Sequence, residues 1–174
     1  MAQVTGIVLA AGAGTRAGGP KALRPGWLDT AVGTLRAAGC DPVIAVLGAA
    51  IVPTDAQVVV AEDWADGMSA SLRAGLRAAS GEAALITLVD LPGMPVEVAR
   101  RIAERAGGET LRRAVYDGRP GHPVLIGRDH WDAVLATLHG DRGAGRYLRE
   151  HDAEVVECGD LWDGREDPAA ASAD

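Results

Sequence analysis

Four apolar runs dominate the first ninety residues: VTGIVLA (4–10), PVIAVLG (42–48), AQVVVAE (56–62) and AALITLV (83–89). Most of them are continuous rather than alternating, the mark of strands covered on both faces. Between them apolar residues recur at helical spacing. Leu28, Ala31, Val32 and Leu35 form one such face, with Gly39 as its stop, and Met68, Leu72, Leu76 and Ala79 form another. This alternation predicts an α/β fold around a largely parallel sheet. Further on, 96–106 reads as a helix, and 113–116 and 123–126 as strands flanking the loop DGRPGH. Asp129 is placed to cap a helix carrying Trp131, Val134, Leu135 and Leu138, a short helix follows GDRGAG, and AEVVEC (153–158) closes the pattern as a last strand. At 174 residues the chain reads as one domain over 1–160. The small and polar end of 161–174 predicts a disordered tail.

Composition narrows the function. A net charge of −7 lacks the basic stripe of a nucleic-acid binder. No apolar stretch approaches 18 residues and no signal sequence is visible, so a soluble cytoplasmic protein with no membrane partner is expected. Cys40 and Cys158 are too few for a disulfide framework and lack metal-site spacing, which leaves two free thiols.

The first apolar run ends in LAAGAGTRAGGPKAL (9–23). A loop at the carboxyl end of a strand in an open α/β sheet is where such folds bind ligands. Gly12, Gly14, Gly18 and Gly19 let backbone N–H groups approach phosphate oxygens, with Arg16 and Lys21 supplying charge. Lys21 is the chain's one lysine against sixteen arginines, and an ammonium is a compact, rotatable point charge suited to a moving phosphate. Pro20 before the lysine and Ala22 after it exclude a P-loop, and the third glycine of a dinucleotide fingerprint is missing.

LAAGAGTRAGGPK resembles the signature of the nucleotidyltransferases related to the molybdenum-cofactor guanylyl- and cytidylyltransferases. GMSASLRAGL (67–76), LVDLPGMP (88–95), GRPGHPVLI (118–126) and GDRGAGRYL (140–148) resemble successive blocks of the cytidylyl branch, so that the likeness spans about residues 4–158. The resemblance implies a Rossmann-like three-layer α/β/α domain with a mostly parallel, mixed sheet, of the nucleotide-diphospho-sugar transferase type. It implies transfer of CMP from CTP to a phosphorylated acceptor, molybdopterin, with Mg²⁺ and release of pyrophosphate, and a molybdoenzyme or its chaperone as a downstream partner. Leu9, Ala10, Ala11, Gly12, Gly14, Arg16, Lys21, Asp66 and Asp90 would then contact the nucleotide, with Arg16, Lys21 and Asp90 catalytic. Ser69, Ser71, Arg73 and His122 would face the acceptor, and Asp141 and Arg142 would gate the site. Trp64, Trp131 and Tyr147 read as packing residues.

Two departures leave choices open. ALRPGWLDTAVGTL lacks the G-x-P-L turn usual after P-K, which implies a more open pocket mouth. The family's second metal aspartate, in D-x-D-T-P, has no full counterpart: Asp167 before Pro168 is nearest, with Asp160 and Asp163 as alternatives, joining Asp90 at the metal. The Ala11 methyl narrows the base pocket towards a pyrimidine, a discrimination worth only ~1–3 kcal/mol. GTP as donor, another NTP with a different phosphorylated acceptor, and a catalytically impaired nucleotide-binding chaperone are the competing readings.

Overall fold

The computed structural model describes residues 2–15 and 18–166. Its seven strands are β1 (Val4–Ala10), β2 (Val43–Leu47), β3 (Gln57–Val60), β4 (Ala83–Leu88), β5 (Leu111–Tyr116), β6 (Arg119–Gly127) and β7 (Glu154–Glu157). They form one sheet in the order β3-β2-β1-β4-β6-β5-β7. β6 runs antiparallel to both of its neighbours, and every other pairing is parallel. The sheet is therefore mixed and mostly parallel, as expected.

Strand periodicity divides the core into two layers. Val4, Val8 and Ala10 of β1, with Val43, Ala45 and Leu47 of β2, pack under α1 (Trp27–Ala37) and α3 (Val96–Ala103). Ile7 and Leu9, with Ile44, Val46 and Ile86, pack under α2 (Met68–Ala78), α4 (Trp131–Thr137) and α5 (Gly145–Glu150). The helical face read around Leu28 to Leu35 is buried, and α1 ends two residues before Gly39, whose φ of 98° makes the stop. Cys40 and Cys158 are buried free thiols, and burial pushes Cys40 up to about 12. Among the described residues no helix is long and apolar enough to cross a membrane.

Three local expectations give way. DGRPGH is not a six-residue loop: β6 begins at Arg119, leaving Asp117 and Gly118, with φ of 52° and 76°, as a two-residue hairpin turn. An Asp-Gly pair with positive φ at both places matches the right-handed twist of flanking strands. Asp129 caps nothing, because a 3₁₀ turn over Arg128–His130 places His130 at the α4 N-cap without a side-chain bond. The last stretch is also in place as far as 166. Leu161 and Trp162 pack against the α1/α3 layer, with Trp162 edge-on to Tyr116 at 5.4 Å. The rest of the expected tail lies outside the described residues.

Candidate functional site

β1 and β4 lie side by side in parallel, Leu9 opposite Leu88, and the chain leaves β1 towards β2 but leaves β4 towards β5 and β6. The crevice beyond their carboxyl ends is a topological switch point. The Val89 N–H continues the ladder by donating to the Leu9 carbonyl at 3.1 Å, which holds Asp90 beside the glycine loop. That loop closes on itself, the Gly19 N–H donating to the Gly14 carbonyl at 2.9 Å. Gly14 has a φ of 61°, and a Cβ there would strike the Gly19 carbonyl, so this position requires glycine.

The closed loop delivers Lys21 at the start of a 3₁₀ turn, Lys21–Leu23, anchored by buried Ala22. Leu9, Ala10, Gly12, Gly14, Lys21 and Asp90 line one cavity of about 210 Å³. Inside it the Lys21 Nζ donates to Asp90 Oδ2 at 2.6 Å and lies 3.5 Å from Glu166 Oε2. Burial works to lower the Lys21 pKa, but the hydrogen bond and charge of Asp90, then of Glu166, outweigh it and hold the ammonium above its ordinary range. Asp90 Oδ1 is buried with no partner among the described residues. A buried carboxylate oxygen without a donor is costly unless a cation or donor reaches it. Asp90 and Glu166 share one lysine, so two carboxylates converge where a divalent cation needs only one or two plus substrate oxygens and waters. The residues present fit such an ion. Among the described residues no group of three or more His, Cys, Asp or Glu forms a protein-only metal cage.

Two further cavities adjoin, and Leu9 and Met68 wall all three. One, of about 520 Å³, is lined by Ala11, Thr15, Trp64, Ser71 and Asp141 among others. Its floor is tight: a Cβ on Gly48 would come within 2.9 Å of the Ala11 Cβ. Gly67 has a φ of 110° and a Cβ there would stand 2.7 Å from the Gly140 carbonyl oxygen, which accepts the Ser69 N–H at 3.1 Å, so the segments GMS and GDR are joined. The third, of about 200 Å³, contains His122 and Arg113 among apolar walls. Burial, then the charge of Arg113, pushes His122 down to about 4, against the opposing pull of Asp90.

Not every expected residue arrives at these cavities. Asp66 is exposed in the turn before α2 and lines none of the three. Ser69 is buried within the helix packing. Arg73 turns away, donating to the Leu138 carbonyl at 3.1 Å and facing Asp63 at 3.7 Å. Asp160 is held by Arg101 through two bonds of 2.6 and 3.0 Å, and Asp163 accepts the Arg165 N–H at 3.0 Å. Arg142 lines none of the three cavities, whereas Asp141 does. Arg16 and Asp167 lie outside the described residues. Sequence reasoning passed over Glu166 and Arg113; Met68, read as an apolar helix position, and Trp64, read as packing and packed on the α2/α4/α5 layer, also line the cavities. Arg113 had a signal: it shares a strand face with buried Leu111, an inward position for a charge.

Comparison with known proteins places these features in context. A family model described as a MobA-like NTP transferase domain matches residues 6–155. A nicotine blue oxidoreductase from Paenarthrobacter nicotinovorans is 35% identical over 94% of this chain and 91% of its own length. Rv0371c from Mycobacterium tuberculosis superposes with a TM-score of 0.73 at 32% identity, over 89% of this chain and 86% of its own. The same protein in complex with manganese gives 0.71 at 31% identity, with the same coverage. A nucleotidyl transferase from Methanothermobacter (Mth528) gives 0.73 at 29%, over 89% of this chain and 87% of its own. The common architecture is the nucleotide-diphospho-sugar transferase fold.

Proposed function

The chain belongs to the MobA-like NTP transferase family, and from that premise we propose that it transfers CMP from CTP to the phosphate of a small acceptor, molybdopterin, in the cytoplasm, releasing pyrophosphate. The observation that carries the reading is the pairing of Lys21 with Asp90 at the β1/β4 crevice, one Asp90 oxygen buried and unpartnered beside a closed glycine loop. Backbone N–H groups of 11–14 would lie along the nucleotide, and the wider cavity by Ala11 and Trp64 would take the base. The Lys21 ammonium exchanges Asp90 for triphosphate oxygens and follows the charge as it moves to the leaving pyrophosphate. Asp90 and Glu166 would hold Mg²⁺, which when bound neutralises charge on the α-phosphate and orients it. His122, largely neutral at physiological pH, leaves the acceptor cavity without a charge on its ring. The acceptor phosphate then attacks in line with no covalent protein intermediate.

The test is calorimetric titration of CTP and of GTP, each with Mg²⁺, into wild type and Lys21→Ala, with pyrophosphate release measured in parallel. The expected result is a preference for CTP, and a loss of about 10²–10³-fold in kcat/KM on removing the ammonium. Unchanged kinetics in Lys21→Ala would overturn the site. A second reading rests on the nicotine blue oxidoreductase relative, 35% identical over nearly the whole chain. In it the apolar Leu9–Met68 wall holds the substrate of a redox reaction in place of a phosphorylated acceptor. Tight NADPH binding without any triphosphate binding would favour that reading instead.

A further inference from the structure

Two adjacent arginines on β5 have opposite fates. Arg112 is well partnered: it donates to Glu154 at 2.8 Å and to the carbonyls of Ile102 and Glu104 at 2.6 and 2.8 Å. Arg113, on the other face, has no carboxylate or carbonyl partner among the described residues, and its Nε is buried with nothing to donate to. It lines the 200 Å³ cavity, whose other walls are aliphatic side chains, Leu9, Met68 and Leu148 among them, with small residues of 143–145, and His122 is the other polar side chain there. Arg149 is close enough for its charge to act on Arg113 as well. A guanidinium set into an apolar cavity, near a second cation and without a counter-charge, is costly by itself. The chain does not lack acids: it carries 24 against 17 basic residues, yet among the described residues none is paired with Arg113.

We propose that Arg113 is an anchoring residue for the acceptor, binding an oxyanion, phosphate or carboxylate, on an apolar ring seated in this cavity. The inference rests on the transferase reading only in calling the ligand an acceptor. Leu9 and Met68 are shared with the Lys21 cavity, so a molecule held at Arg113 extends towards the reacting phosphate. The space suffices for a ring bearing an oxyanion, since an apolar cavity of about 150 Å³ accommodates benzene. A guanidinium fork suits both candidate groups.

The experiment titrates inorganic phosphate, phenyl phosphate and benzoate into the full chain and follows the arginine Nε–Hε resonances by NMR. The Arg113 signal is identified by its loss in Arg113→Gln. A saturable shift of that signal is expected, with phenyl phosphate or benzoate at least about tenfold tighter than inorganic phosphate because of the apolar walls. The tighter of the two identifies the oxyanion. Arg113→Gln should lose at least tenfold of that affinity and Arg113→Lys recover part of it. Mg²⁺·CTP binding, measured on the same variants, should be retained and reports an intact fold. A wild type that binds the probes at Arg113 but no triphosphate sinks the transferase reading and keeps the cavity. An Arg113 signal unmoved by all three probes, or equal affinity in Arg113→Gln, overturns the proposal.

Discussion

Asp90 and His122 face the same trough and are both set against their own stability. Asp90 keeps one oxygen on Lys21 and buries the other unpaired, a cost that a bound cation would remove. His122 is held neutral, its pKa pushed down from 6.5 to about 4, mainly by burial. Its folded pKa lies below the unfolded value, so its contribution is complete above pH 6.5. As the pH falls from 6.5 to about 4 the unfolded chain takes a proton that the folded chain refuses, and stability drops by up to about 3 kcal/mol. Denaturant midpoints measured across that window should therefore fall more steeply in wild type than in His122→Asn. Parallel pH profiles would show that the ring is not held neutral in the fold. Lys21 acts in the other direction. Its raised pKa makes the ammonium's contribution complete below about 10.5 and lost only in strong alkali, so Lys21 stays charged through the physiological range.

Element packing brings these residues to one edge, and α2 shows how closely. Gly75 lets the helix settle on β1, since a Cβ there would stand 2.9 Å from Ile7 Cγ2 and 3.2 Å from Val46 Cγ2. Alanine gains about 1 kcal/mol of helix propensity but overpacks by about 1–3 kcal/mol. Gly75→Ala should be destabilised by up to about 2 kcal/mol in urea unfolding, and should weaken nucleotide binding because the helix carries Met68, the common wall. A more stable variant would mean that the helix can move outward without strain. This layering was legible because β1, β2 and β4 are buried on both faces and therefore apolar but for Thr5 and Thr87. The edge strands β3 and β7 were legible but overlong, shrinking to four mostly exposed residues each. The glycine loop, Lys21 and Asp90 were legible because they abut such strands. The stretch after β5 was read as a longer loop, open to a hairpin or a crossover, and the two-residue turn at Asp117–Gly118 was not singled out although its dipeptide is a turn signal. Glu166 was missed for another reason: it meets Lys21 across 145 residues of chain, and no local pattern encodes that.

That long return is a property of the whole molecule, because the segment after β7 does two jobs at once. Trp162 packs on Tyr116 and approaches Gly93, in the turn that follows Asp90, at about 3.5 Å from a Cβ built there. Leu161 joins the α1/α3 layer, and four residues beyond Trp162 the chain reaches Lys21 with Glu166. Stability and the second carboxylate are thus carried by neighbouring positions and can be separated by truncation. A chain ending at Asp160 loses the Leu161 and Trp162 packing, about 2–4 kcal/mol for partly buried groups of that size, and also Glu166. It should melt lower and bind CTP no better with Mg²⁺ than without. A chain ending at Glu166 keeps the packing and the carboxylate, and should retain both the melting temperature and the enhancement by Mg²⁺. If that longer chain melts as wild type but loses the enhancement, the second metal carboxylate belongs to 167–174 and Asp167 takes the role assigned to Glu166. The two truncations thus separate what the returning segment contributes to the fold from what it contributes to the metal.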